Sequence, residues 1–65
     1  MYILIIFLHL YSGQVQPRVA IAHSQTACIE ALPLHTRLYA EGKFSDGPPA
    51  TKIKRITGRC EPVEL

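Results

Sequence analysis

No charged residue stands before Arg18, and the acidic and basic side chains of the whole chain number only 12 in 65 residues. The first absence leaves the apolar run Tyr2–Tyr11 without the basic flank of a secretory signal, and Tyr11-Ser12-Gly13 lacks a small-x-small cleavage pattern such as A-x-A. The run is also too short for a bilayer span, which needs about 20 apolar residues. His9 interrupts it, and Ser12-Gly13-Gln14 ends it. There is no glycine-rich phosphate loop, no carboxylate pair for acid–base work, and no close Cys/His pairing of the kind that nucleates zinc sites. Catalytic residues, metal and cofactor are therefore expected to be none, and the chain is read as not an enzyme. The formal charge of +2 makes no case for nucleic acid.

What is present points to a small α+β domain. Sixty-five residues allow one domain, which at this size buries only about 60% of its unfolded surface and so has a marginal core. Residues 2–11 are rich in Ile, Phe and Tyr, and such side chains suit a pleated surface. A continuous apolar strand is one buried on both faces or covered by a partner. Ser12 to Pro17 reads as a turn. Residues 18–23 alternate as a second strand, with Val19, Ile21 and His23 on one face and Arg18, Ala20 and Ala22 on the other. Pro17 suits the start of that strand, where no ladder donor is required.

Ser24 is a candidate N-cap for a helix over residues 25–41, and Gly42 is a natural residue to follow its end. Cys28, Ile29 and Leu32 are spaced for a shared face, continued by Leu34, Leu38 and Tyr39. Pro33 removes a helix hydrogen bond and is expected to disturb the helix between Ile29 and Leu32. Residues 43–51, with Ser45-Asp46-Gly47-Pro48-Pro49, form a loop. Residues 52–60 are the third strand, with Ile56, Gly58 and Cys60 on one face and Ile53, Arg55, Thr57 and Arg59 on the other. The expected order is β-β-α-β: one antiparallel three-stranded sheet with a helix on a face.

Cys28 and Cys60 are the only cysteines. A helix laid over the sheet brings them within reach of each other, and closing that loop would add about 3–4 kcal/mol. In a reducing compartment they would instead be two buried thiols. The basic residues gather late, and Lys52, Lys54, Arg55 and Arg59 form the candidate interaction surface for an acidic protein. An exposed apolar strand also offers an edge for pairing with its copy in a dimer, or for adding to a partner's sheet.

Met1-Tyr2-Ile3-Leu4-Ile5-Ile6, Gly13, Ser24-Gln25-Thr26-Ala27-Cys28, and Gly58-Arg59-Cys60-Glu61-Pro62 form a pattern along the chain. In these pieces the chain resembles a group of tiny uncharacterised phage and prophage proteins. The pieces span nearly the whole chain, but each is short, and Pro33 departs from the alanine-rich helix of the group. The resemblance implies a viral accessory protein in the cytoplasm of a bacterial host, binding and modulating or inhibiting a host protein such as a defence component. The alternative is an exported or membrane-associated envelope protein, with residues 2–11 as signal or anchor and one disulfide.

Overall fold

The apolar run is the central strand of a sheet in the computed structural model, which describes residues 1–64. This strand, β1 (Tyr2–Leu10), has a period of two: Leu4, Ile6, Leu8 and Leu10 are buried on one face, while Ile3, Ile5, Phe7 and His9 are half-buried on the other. The strands β2 (Val15–Ala22) and β3 (Ile53–Pro62) flank it, both antiparallel, giving the order β2-β1-β3. One helix, α1 (Gln25–Ala40), lies between β2 and β3 in the chain. The chain is thus a small β-β-α-β domain of the α+β class.

The β1–β2 turn closes with Leu10 N–H donating to the Gln14 carbonyl at 2.9 Å, and Gly13 supplies the positive φ of +93° that it requires. That bond makes the even-numbered residues of β1 the hydrogen-bonded partners of β2. Pro17 faces Phe7, an odd position, so the nitrogen that lacks a proton points to the open edge of the sheet. β2 therefore begins at Val15, not at residue 18, and carries Pro17 inside it without losing a ladder bond.

The Ser24 hydroxyl accepts from Ala27 N–H at 3.1 Å and starts α1. At the other end Gly42 (φ +69°) donates to the Tyr39 carbonyl and Lys43 to the Leu38 carbonyl, a Schellman closure. The disturbance expected at Pro33 does not break the helix. Ile29 and Pro33 are both exposed, so the carbonyl that Pro33 leaves without a donor faces water. The same exposure corrects the expected apolar face. Ile29 is 55% exposed and Leu34 58%, while the line turned to the sheet is Cys28, Ala31, Leu32, His35 and Tyr39.

The core joins Leu4, Ile6 and Leu8 to Ala22, Cys28 and Tyr39, with Leu32, Ile56 and Cys60 packed around them. Cys28 and Cys60 are disulfide-bonded, tying α1 to β3 across a sequence separation of 32. The loop after α1 is more than a connection. Phe44 stacks on Tyr39 with ring centroids 4.3 Å apart, and a 3-10 turn (Ala50–Lys52) leads into β3. Among the described residues no helix is long and apolar enough to cross a membrane.

Candidate interaction surface

α1 covers one face of the sheet, and among the described residues no element packs on the other. Strand alternation fixes what this open face carries. From β2 come Val15, Pro17, Val19 and Ile21, the last two 63% and 69% exposed. From β1 come Ile3, Ile5, Phe7 and His9. From β3 come Arg55, Thr57, Arg59 and Glu61. The face is apolar over β2 and β1 and charged along β3. β2 even turns its larger apolar side chains outward and its alanines, Ala20 and Ala22, toward the core.

Contacts within the face hold its charged column in place. Arg59 Nε lies 2.6 Å from Glu61 Oε1, and its guanidinium carbon sits 5.6 Å from the centroid of the Phe7 ring. His9 Nε2 and Thr57 Oγ1 are 2.9 Å apart. Exposed ion pairs add little stability. Here the pair mainly sets where the charge lies, with Arg59 shading one side of Phe7.

Of the expected interaction residues, Arg55 and Arg59 do share this face with Thr57 between them. Ile53 does not. A register shift between His9 and Leu10 pairs Ile53 with Leu10, on the inner side. Lys52 belongs to the 3-10 turn, where its carbonyl accepts from Tyr11 N–H at 3.1 Å. Lys54 follows Ile53 at the bulge and lines, with His9, Val15 and Arg55, a depression of about 330 Å³ at the turn end of the face. The four residues therefore form no single stripe. The reading from sequence also omitted Glu61, which makes the charged column mixed rather than basic. It omitted the outward apolar side of β2 as well, though the contrast of Val19 and Ile21 with Ala20 and Ala22 carried that signal.

The inner end of β2 holds a second cluster. A cavity of about 220 Å³ is lined by Arg18, His35, Tyr39, Phe44 and Asp46 among others. The Arg18 guanidinium is already committed, donating to the carbonyls of Pro17 and Asp46 and to Gln16 Oε1 at 2.9, 3.0 and 3.1 Å. It straps the loop onto β2. Burial raises the Tyr39 phenol above its ordinary value, the Asp46 carboxylate raises it further, and Arg18 opposes both. Among the described residues no three His, Cys, Asp or Glu side chains converge as a metal site would require.

Comparison with known proteins gives no matching family model, no matching curated protein and no matching solved structure.

Proposed function

We propose that this chain is a non-enzymatic protein-binding module that works through the open face of its sheet. In the viral setting that the resemblance implies, the outcome of binding is modulation or inhibition of a host protein. The observation that supports this is the exposure of Val19 and Ile21 beside Ile3, Ile5 and Phe7 on a face without a second layer. A contiguous exposed apolar patch rimmed by polar residues marks an interaction site, whereas apolar residues scattered singly over a surface do not. An apolar centre bordered by charges also follows the anatomy of protein interfaces. The test is capture of host proteins on the immobilised, oxidised chain, with Val19→Lys/Ile21→Lys and Arg55→Glu/Arg59→Glu chains beside it. Loss of the same captured proteins with the lysine pair supports the reading. An unchanged captured set removes the open face from the function.

The disulfide favours a second reading, in which the chain works in an oxidising envelope compartment. Tyr2–Leu10 forms the middle of the sheet, so this reading goes with a chain that keeps the segment, not one that loses it. Intact mass after trapping of thiols on lysis separates the two. A full-length chain with two trapped thiols places it in a reducing cytoplasm, and one with none places it in the envelope.

A further inference from the structure

We infer that the open face binds a second copy of this chain, forming a two-fold symmetric sandwich with the two helices outside. This rests on the reading of the open face as a binding surface and names the protein that fits it. The weak contact between copies and a host protein would then compete for the same face.

The argument begins with the rows that cross the sheet. Ile21, Ile3 and Glu61 share one end row, and Val15, His9 and Arg55 the other. Between them lie Val19, Ile5 and Arg59, then Pro17, Phe7 and Thr57. Two sheets meeting face to face with their strands near alignment have two choices of two-fold axis. With the axis along the strands, the apolar β2 column of each copy lies over the charged β3 column of the other. That arrangement desolvates Arg55, Arg59 and Glu61 against Val and Ile, which is costly. With the axis across the strands, β2 lies over β2 and β3 over β3, and the row order is reversed.

The reversed order brings complementary groups together. Ile21 falls over Val15 of the second copy, Val19 over Pro17 and Ile5 over Phe7. Glu61 falls over Arg55, and symmetry repeats that pair at the other end. A mixed column with Glu61, paired to Arg59, at one end and at the other Arg55, which has no ion pair among the described residues, is self-complementary under this operation, as an isologous contact must be. Sheets in sandwiches cross at about 30°. That displaces the ends by about one strand spacing, which an arginine side chain spans.

The edges offer less for self-association. Pro17 removes the outward N–H at the middle of the β2 edge, and β3 carries a bulge, Lys54 and Pro62 along its own. The contact is small. Three strands about 4.8 Å apart and about 30 Å long give a footprint near 400 Å² per copy. Its corrugated accessible surface is somewhat larger, and the sum stays in the class of weak associations, below about 1,200 Å².

The test is sedimentation equilibrium of the oxidised full chain from about 1 µM to about 500 µM, the span of weak affinities. The expected weight-average mass climbs from 7.3 kDa toward twice that value. Ile21→Lys, at a position 69% exposed and therefore tolerant of the change, should weaken dimerisation at least about tenfold with an unchanged circular dichroism spectrum. Arg55→Glu and Glu61→Arg should each weaken it about three- to tenfold, and the double exchange should restore it, since the charges are swapped across the axis. A wild-type chain that stays monomeric at every concentration, or a dimer indifferent to Ile21→Lys, overturns the inference. Binding of a fluorescent apolar dye then separates the two failures. A monomer whose dye binding is lost in Ile21→Lys retains an open docking face for a different protein, and a monomer with no such binding overturns the face itself.

Discussion

Cys28, in the first turn of α1, is bonded to Cys60 on β3, with their Cα atoms 6.1 Å apart. The bridge joins the helix to the strand that arrives last in the chain, so it holds the two halves of the domain across its only covered face. Limiting the unfolded chain through a loop of this length stabilises by about 3–4 kcal/mol. The whole stability expected for a chain of this size is only about 3–10 kcal/mol. Reduction, or Cys28→Ala/Cys60→Ala, should therefore remove much of it. Urea unfolding with and without reductant measures the difference. A midpoint that does not move would mean that packing alone carries the fold.

Gly58 leaves the space on β3 into which Leu32 of α1 packs. A Cβ built there would lie 2.6 Å from Leu32 Cδ1 and 3.2 Å from the Ile5 carbonyl oxygen. Leu32 can swing part of the way, but the carbonyl belongs to the central ladder and cannot. Gly58→Ala should cost about 1–3 kcal/mol, in the range of overpacked cores. Gly58→Ala combined with Leu32→Ala should lose less than the sum of the two single changes, because the second removes the obstacle. Additive losses would place the strain elsewhere.

The order of elements along the chain and the class were legible because the chain's local signals agree: a turn at Gly13, a cap at Ser24, a stop at Gly42 and alternation in β2. Two features concealed the rest. In β1 every position but His9 is apolar, so the pattern does not say that the even-numbered residues, from Tyr2 to Leu10, face the core. The helix face misled in the opposite way. Ile29 and Leu34 look like core residues, yet Ala31 and His35 take the inward positions, His35 beside the Phe44 ring. Phe44 lay in a segment that composition marks as loop, and only its stacking on Tyr39 shows that it closes the core over β2. The bulge opposite Leu10, which moves Ile53 off the face of Arg55, has no mark in the sequence.

Tyr39 gives the fold a pH limit on the alkaline side. Its phenol is held neutral above the ordinary value of 10.0, by burial first and by the Asp46 carboxylate second. An acid whose folded value is raised keeps its full contribution to stability below the unfolded value. That contribution is lost as pH rises through the folded one. Stability should thus be flat with respect to Tyr39 below pH 10 and decline above it. Tyr39→Phe should remove this part of the decline and, in absorbance titration, the late phenolate signal. A variant with the same alkaline decline as wild type would shift the cause to other groups.

Pro17 occupies one of the odd positions of β2, where a missing N–H leaves the sheet intact and the edge interrupted. Val15, Val19 and Ile21 surround it, so the edge would otherwise be apolar and continuous, a template for adding strands. Pro17→Val restores the outward donor with a side chain suited to a strand. Fold stability should change by less than about 1 kcal/mol, because no bond to β1 is gained or lost. The visible effect should be association: on heating, the variant should form thioflavin-positive aggregates sooner than wild type. Combining Pro17→Val with Ile21→Lys distinguishes edge from face. The lysine should weaken a face-to-face dimer and leaves the repaired edge its backbone donors, so aggregation that persists in the combined variant belongs to the edge. Aggregation at the wild-type rate in Pro17→Val alone would mean that the proline is no guard.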